Sequence, residues 1–241
     1  MPLEVHIRKK LRSFILQADF EAEDGVLALL GPSGCGKSMT LKCIAGIERP
    51  DEGAISLSGR VLFDASKKVN LPPQKRRVGY MFQNYALFPN MTVRKNVLSG
   101  MGRKPDPSLA DPLLERFRIA DLADRFPHEL SEGQKQRTAM ARIVAQAPDV
   151  ILLDEPFSAL DTVLKWQLEE EMIRVLAEEK KPAIFVTHNI DEVFRMSNSV
   201  CTMKEGKTLG KISAREYSDQ LKEGGAGLMR GWRILPPEEA G

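Results

Sequence analysis

An eight-residue turn with three glycines constrains this chain more than any other feature. It reads Gly31-Pro32-Ser33-Gly34-Cys35-Gly36-Lys37-Ser38 and follows a continuous apolar run at residues 26–30. Such a run predicts a strand that is buried on both faces. The residues after the turn predict a short helix over about 38–45, which Gly46 would end. This order of strand, glycine-rich turn and helix predicts an α/β fold.

The turn fits the pattern G-x-x-x-x-G-K-[ST], which is typical of phosphate-binding loops. Its glycines let successive backbone N–H groups point inward, and the following helix directs its positive end at the anion. We expect Lys37 to reach the β- and γ-phosphates of a nucleotide and the Ser38 hydroxyl to bind Mg²⁺. A chance match has a probability on the order of one per cent. The predicted nucleotide contacts here are Gly31, Pro32, Ser33, Gly34, Cys35, Gly36, Lys37, Ser38 and Met39.

Two later strand-like runs also end in polar residues. Residues 150–153 are followed by Asp154 and Glu155, and residues 184–187 are followed by His188. The carboxyl ends of parallel strands face the ligand crevice of an open α/β sheet. We therefore predict that Asp154 holds Mg²⁺, that Glu155 polarises the attacking water and that His188 senses the γ-phosphate. Any one of them alone would more often be a helix cap, a surface charge or a buried histidine, but three at one edge favour a site.

A second helix start resembles an anion site. Ser131 and Gln134 have the S-x-x-Q spacing of a capping box and precede a long amphipathic helix. An ordinary cap explains this segment as well as an anion site does, and both readings stay open. Because the segment is far along the chain from the glycine-rich turn, the anion reading implies a phosphate that a second copy of the protein holds.

The residue pattern changes along the chain and divides it into segments. We predict one domain over 1–241, with a core of strands and helices at 1–84 and 147–223, a helical lobe at about 85–146 that prolines interrupt, and a tail at 224–241 rich in Gly, Pro and Glu. A hairpin with Gly59 at its bend is predicted within 54–63, and a closing hairpin within 199–212. Helices are predicted over about Thr162–Glu179 and Ile190–Met196.

Composition excludes several classes of protein. The chain has 35 Lys and Arg against 33 Asp and Glu, a balance that disfavours a partner nucleic acid. Lys75-Arg76-Arg77 is accordingly predicted to be a solvated face. Three cysteines make neither a disulfide framework nor a zinc site, and Cys35 is interpreted as a small residue in a tight loop rather than a redox switch. No run approaches the ~18 apolar residues of a membrane helix and no signal peptide is present, so a cytoplasmic protein that reaches membranes through partners is expected.

Six motifs in order resemble the ATP-binding cassette (ABC) family. They are Walker A at 31–38, a Q-loop at Gln83, a signature at 130–134, Walker B at 150–154 with Glu155, a D-loop at 158–161 and a switch histidine at His188. The resemblance covers essentially the whole chain. Within the family, residues 59–64 and 73–80 with Gln83 are similar to importers of the molybdate type, although this narrower match is looser.

The resemblance implies a fold and a mechanism. The fold would be a P-loop NTPase with a RecA-like core, an inserted helical subdomain and an N-terminal antiparallel β subdomain. ATP and Mg²⁺ would bind, Gln83 would contact metal and attacking water, and Ser131, Gly133 and Gln134 would contact nucleotide across a head-to-tail homodimer. Two transmembrane permease subunits would hold the dimer at the cytoplasmic face of the membrane, and an extracytoplasmic solute-binding protein would act indirectly. ATP is expected over GTP because no N-K-x-D segment is present.

Three departures and several alternatives accompany the resemblance. Glu132 stands where many members have glycine, and we predict that it points away from the phosphate. Phe14 is the candidate for stacking on adenine, with the segment at Lys10-Leu11 as its alternative. The regulatory domain that some members add at the carboxyl end is not expected. The transported solute is predicted to be molybdate or tungstate, with sulfate, another metal, a polyamine or a sugar as alternatives. A soluble cassette ATPase of DNA repair or translation is disfavoured because the sequence shows no coiled coil, zinc hook or second cassette. A kinase is disfavoured because it would need an acceptor site and would leave the signature segment unexplained.

Overall fold

The computed structural model describes residues 2–102, 105–158, 160 and 162–222. Its strands form one eleven-stranded sheet. The strands are β1 (Leu3–Lys10), β2 (Ile15–Ala22), β3 (Gly25–Leu30), β4 (Glu52–Leu57), β5 (Arg60–Asp64), β6 (Val69–Asn70), β7 (Val78–Met81), β8 (Val150–Asp154), β9 (Pro182–Thr187), β10 (Ser199–Lys204) and β11 (Lys207–Ser213).

Helices cover both faces of the half of the sheet that contains β3, β8 and β9, and they fill the long connection between β7 and β8. The helices are α1 (Lys37–Ala45), α2 (Pro73–Arg76), α3 (Val93–Ser99), α4 (Ala110–Arg116), α5 (Glu132–Ala145), α6 (Thr162–Glu179), α7 (Ile190–Met196) and α8 (Ala214–Lys222). Three short 3₁₀ turns lie at Pro107–Leu109, Ala120–Leu122 and Pro127–Glu129.

The sheet has an antiparallel half and a parallel half. Its strand order is β6-β5-β4-β1-β2-β11-β10-β3-β9-β8-β7. The strands from β6 to β2 pair antiparallel, whereas β10, β3, β9, β8 and β7 are parallel to their neighbours in that run. Strand β11 joins the halves, because it is antiparallel to β10 and parallel to β2. The glycine-rich turn leaves the carboxyl end of β3, which lies between β10 and β9 in the parallel half.

Side-chain patterning explains the difference between the halves. Alternate residues of β1 and β2 are buried and exposed, as expected when one face of a sheet meets solvent. Every residue of β8 and β9 is buried, because the parallel half has a hydrophobic core on each face. Along β3, Leu27 and Leu29 belong to one core cluster and Ala28 and Leu30 to the other. The strand that carries the glycine-rich turn is therefore packed firmly on both sides.

Most of the predicted elements are confirmed, and so is the α/β fold class. Helix α1 ends at Gly46, whose φ of 79° suits glycine, and α6 and α7 have the predicted bounds. Between β7 and β8 the described residues contain helices and no strand, although the division into lobes stays a prediction. The tail at 224–241 lies outside the described residues. Within the part that the structure describes, no helix is long and apolar enough to cross a bilayer.

The prediction of a solvated basic face at Lys75-Arg76-Arg77 is wrong for its middle residue. Arg76 is fully buried, and its guanidinium donates hydrogen bonds to the carbonyls of Cys43 and Ile44, both at 2.8 Å. These carbonyls lie at the carboxyl end of α1, where the helix dipole favours a cation. Burial lowers the pKa of Arg76, but a guanidinium remains charged at neutral pH. Arg76 therefore ties the segment before β7 to the helix that follows the glycine-rich turn.

Candidate nucleotide-binding site

The glycine-rich turn leaves the start of α1 open. Gly36 occupies the N-cap position with φ of 110° and, having no side chain, makes no cap hydrogen bond to the helix. A Cβ atom on Gly31 would lie 2.2 Å from the carbonyl oxygen of Met203, so only glycine allows β10 to approach the turn this closely. Pro32, Ser33 and Gly34 between them are exposed. The turn thus presents free backbone and the positive end of a helix to an incoming anion.

Lys37 supplies a buried positive charge at the same place. Its side chain is 4% exposed, and its ammonium donates to the carbonyl oxygens of Gly31 at 2.8 Å and Pro32 at 3.0 Å. Both partners are neutral dipoles, so they orient the ammonium without cancelling its charge. An anion that reached the turn would find this cation already desolvated.

Three elements bring polar oxygens together beside Lys37. The Ser38 hydroxyl donates to one carboxylate oxygen of Asp154 at 2.6 Å, and the Tyr80 hydroxyl donates to the other at 2.9 Å. Ser38 lies in the first turn of α1, Asp154 ends β8 and Tyr80 lies on the neighbouring strand β7. Carboxylate and hydroxyl oxygens are the ligand types that Mg²⁺ prefers, and magnesium sites commonly use only one or two such groups together with phosphate oxygens. The donor set therefore fits a magnesium ion bound with a nucleotide.

The two residues predicted to act on water lie at the same sheet edge. The Nδ1 atom of His188 is 3.6 Å from a carboxylate oxygen of Glu155. Glu155 is held by a hydrogen bond from its backbone N–H to the carbonyl of Val186 on β9, and its φ of 46° is in the left-handed region. A non-glycine residue in that region costs about 1 kcal/mol or more and commonly marks a functional position. The histidine side chain is 55% exposed, so it can meet a ligand.

Gln83 lies beyond β7 and reaches towards the segment after Glu155. Its side-chain amide donates to the Ser158 hydroxyl at 3.2 Å, and that hydroxyl donates to the carbonyl of Glu155 at 3.0 Å. The structure therefore places Gln83 against Ser158, which sequence reasoning did not assign a role. Of the predicted D-loop, Ala159 and Asp161 lie outside the described residues.

Three further residues of the predicted site lie in or next to the turn, namely Phe14, Cys35 and Met39. A ring carbon of Phe14 lies 3.4 Å from the position of a Cβ on Gly36, which puts the half-buried ring beside the turn. Burial raises the pKa of the Cys35 thiol despite the nearby Lys37 ammonium, and a protonated thiol suits the packing interpretation better than a redox switch. Met39 packs partly against the hydrophobic core. A stacking role for Phe14 stays a prediction.

The segment at the start of α5 forms the predicted capping box. The Ser131 hydroxyl accepts from the backbone N–H of Gln134 at 3.3 Å, and the Gln134 side chain accepts from the Ser131 N–H at 2.9 Å. Glu132 pairs with Lys135 on the same helix at 2.7 Å and is 45% exposed, as expected for a side chain that points outward. Gly133 is buried against α6, where a Cβ would lie 3.2 Å from side-chain carbons of Leu164 and Leu168.

Sequence reasoning missed Tyr80 and Arg142. The guanidinium of Arg142 on α5 donates to the carbonyls of Tyr85 at 2.8 Å and Ala86 at 2.7 Å. These two residues follow Gln83 and have left-handed φ values of 61° and 44°. A pair of non-glycine residues in this conformation needs external support, which Arg142 supplies from the far end of the helix that begins at Ser131. No local sequence signal marks this role, because the carbonyls that Arg142 contacts lie 56 and 57 residues earlier in the chain.

Comparison with known proteins agrees with the geometry. Residues 17–158 match the family described as ABC transporter. The chain belongs to this family. An Fe(3+) ions import ATP-binding protein from Haemophilus influenzae is 43% identical over 76% of the chain and 52% of its own length. A molybdenum import ATP-binding protein from Brucella abortus is 38% identical over 95% of the chain and 65% of its own length. A spermidine/putrescine import ATP-binding protein from Nitratidesulfovibrio vulgaris is 46% identical over 78% of the chain and 51% of its own length.

The fold of this ABC family member also matches a solved structure. A dimeric ATP-binding cassette in a post-hydrolysis state, bound to ADP and Pi, matches with a TM-score of 0.73 and 26% identity. The match covers 89% of this chain and 99% of the other. By contrast, the chain spans about half to two thirds of the length of the curated relatives it matches.

Proposed function

We propose that this chain is the ATP-hydrolysing, energy-coupling subunit of a membrane importer. The observation that carries the proposal is the oxygen cluster of Ser38, Asp154 and Tyr80 beside the buried ammonium of Lys37. It combines a phosphate cradle with magnesium ligands at the end of a helix whose amide groups are open. Glu155 and His188 lie at the same edge, where a γ-phosphate would be attacked by water.

Phosphate binding uses groups that the fold has already oriented. The start of α1 supplies backbone N–H groups, and Lys37 exchanges its carbonyl partners for phosphate oxygens. Phe14 lies beside the turn and contacts the adenine. Because the loop is held by β3 and β10, few conformational degrees of freedom are lost when a nucleotide binds.

Ser38 and Asp154 would hold Mg²⁺. The ion, when bound, neutralises charge on the phosphates. Ser38 donates its hydroxyl proton to Asp154, which leaves the oxygen lone pairs of Ser38 directed away from that bond and available as a ligand. If its bond to Ser158 opened, the Gln83 side chain would be free to contact the metal and the attacking water.

Hydrolysis uses Glu155 as the group that orients water. Its carboxylate accepts a proton from the attacking water as the bond from that oxygen to the γ-phosphorus forms and the bond to the ADP oxygen breaks. His188 lies 3.6 Å away and contacts the γ-phosphate from the neighbouring strand end. Glu155 has a left-handed backbone with φ of 46°, and its side chain is 19% exposed.

The proposed importer contains other subunits besides this chain. Ser131, Gly133 and Gln134 contact the nucleotide of a second copy in a head-to-tail homodimer, and the dimeric state of the related ADP-bound cassette supports this arrangement. The dimer acts at the cytoplasmic face of the membrane through two permease subunits and indirectly serves an extracytoplasmic solute-binding protein. The three import relatives support coupling to uptake rather than a role in DNA repair or translation.

Molybdate or tungstate is the proposed cargo. The molybdenum import relative aligns along nearly the whole chain, which supports this choice. The Fe(3+) and spermidine/putrescine relatives are more identical over shorter stretches, and a metal cation or a polyamine is therefore the second candidate.

The test uses Glu155→Gln, with the exposed Glu170→Gln on α6 as control. We expect the purified Glu155→Gln chain to bind ATP and to hydrolyse it about 10³-fold more slowly, because general-base catalysis is commonly worth about 10²–10⁴-fold. In cells with trace oxyanion supply, the same variant should lower molybdenum or tungsten content. Hydrolysis at the parent rate would contradict the role of Glu155. Slow hydrolysis with unchanged metal content would contradict the oxyanion cargo alone.

A further inference from the structure

Asp154 is fixed through both of its carboxylate oxygens. It is 6% exposed, and each oxygen accepts one hydroxyl hydrogen bond, from Ser38 at 2.6 Å and from Tyr80 at 2.9 Å. A carboxylate held at one oxygen can rotate about its side-chain bonds, but a carboxylate held at both cannot rotate without losing a bond. The orientation of Asp154 therefore depends on Tyr80 as much as on Ser38.

Tyr80 is built to act as a donor at this position. It lies on β7 opposite Leu152 of β8, and its hydroxyl extends along the strand to Asp154. Its ring packs against Phe82, with ring centroids 4.4 Å apart. The phenol O–H is a hydrogen-bond donor, and at 2.9 Å it donates to Asp154.

We propose that Tyr80 is a positioning residue for the divalent cation of the nucleotide site, an inference that rests on the proposed function. By holding one oxygen of Asp154, Tyr80 keeps the other directed at the Ser38 hydroxyl. That bond in turn sets where the Ser38 proton points and where its lone pairs are available. Outer-shell partners of this kind commonly change metal affinity by about 10–100-fold when they are removed.

The Tyr80 hydroxyl has a hydrogen-bond partner, which distinguishes it from the hydroxyls of the other two tyrosines. Tyr85 is 2% exposed, and its hydroxyl has no hydrogen-bond partner among the described residues. The Tyr217 hydroxyl is likewise buried without a partner in the described part of the chain. Tyr80 differs from both because its hydroxyl contacts a residue of the site. Tyr85→Phe is therefore a control for Tyr80→Phe, since each removes one tyrosine hydroxyl and only that of Tyr80 contacts the site.

The experiment measures equilibrium binding of a fluorescent ATP analogue, first in EDTA and then along a Mg²⁺ titration. We expect Tyr80→Phe to raise the Mg²⁺ concentration at half-maximal enhancement by about tenfold or more, with metal-free affinity unchanged. Tyr85→Phe should follow the parent in both measurements. A Tyr80→Phe midpoint equal to that of the parent would overturn the inference. Failure of the parent to bind the analogue would instead overturn the proposed function.

A second measurement keeps the Tyr80 hydroxyl in place and so does not depend on how Tyr80→Phe folds. The chain has three tyrosines, and 3-fluorotyrosine incorporation gives each a ¹⁹F signal. Tyr85→Phe and Tyr217→Phe identify two signals and leave the third to Tyr80. We expect Mg²⁺ added to the nucleotide complex to shift the Tyr80 signal more than the other two. A Tyr80 signal that ignores Mg²⁺ would also overturn the inference.

Discussion

Helices α1 and α5 begin in opposite ways, although both starts were predicted to meet a phosphate. The start of α1 follows Gly36 and has no side-chain cap, whereas the start of α5 is closed by the reciprocal bonds of Ser131 and Gln134. The first helix therefore keeps its amide groups for a ligand, and the second uses two of its polar groups to stabilise itself. A phosphate that approaches α5 can use the Ser131 hydroxyl proton and the remaining amides, or it must open the box. The comparison separates a helix start that is open to a ligand from one that its own side chains close.

The largest expected effect comes from comparing Lys37, at the start of α1, with Lys135, near the start of α5. Lys37→Ala should weaken ATP binding by about 100-fold or more, because a buried cation that meets phosphate contributes roughly 2–5 kcal/mol. Lys135→Ala should change it less than about twofold, because Lys135 pairs with Glu132 near the surface. Calorimetric titration of both variants measures the difference. Tight binding by Lys37→Ala would contradict the phosphate-loop assignment, and a large loss in Lys135→Ala would show that α5 contributes to the site of its own chain.

An intermediate effect is expected from the capping boxes. Ser131→Ala should lower the free energy of unfolding by about 1 kcal/mol, as should Ser213→Ala, which breaks the similar box of Ser213 and Glu216 at the start of α8. Only Ser131→Ala should also reduce the rate of ATP hydrolysis, because only that serine is proposed to contact nucleotide across the dimer. Urea unfolding and a hydrolysis assay measure the two effects. Equal hydrolysis by both variants would leave Ser131 as an ordinary cap.

The smallest effect is expected from Glu132→Gly. ATP affinity should change less than about twofold, since the carboxylate is paired with Lys135 on its own helix. Stability should fall by about 1 kcal/mol, because glycine is a poor helix former and the favourable acid at the helix start is lost. Titration with ATP and urea unfolding test both statements, with Glu132→Gln as the control that keeps the side-chain length. A large gain in affinity would show that the carboxylate faces the phosphate.

Local features were predictable because short-range chemistry fixes them. Gly46 ends α1 as expected, and the S-x-x-Q spacing gave the capping box at Ser131. The octapeptide, Asp154 and Glu155 could be assigned from the strand ends that carry them. The structure confirms that Ser38 and Asp154 meet, although they are 116 residues apart in sequence.

Long-range pairing was not predictable from the sequence. The single sheet depends on β11, which contacts both β10 and β2, and no local pattern specifies that pairing. The bond from Tyr80 to Asp154 requires the register between β7 and β8, which nothing within either strand determines. Arg76 appeared to be one of three surface cations, because its acceptors are helix carbonyls that a sequence does not show.

The position of β3 within the sheet has a consequence for how the protein is made. Strand β3 has β9 on one side and β10 on the other, so both of its neighbours are encoded about 150 residues or more after it. At about 5–20 residues per second, a ribosome takes roughly 8 to 30 s to add that length. Throughout this interval the apolar strand that leads into the phosphate loop has no partner strand. The nucleotide pocket is therefore completed late in translation, and nucleotide cannot assist the first steps of folding in the cell.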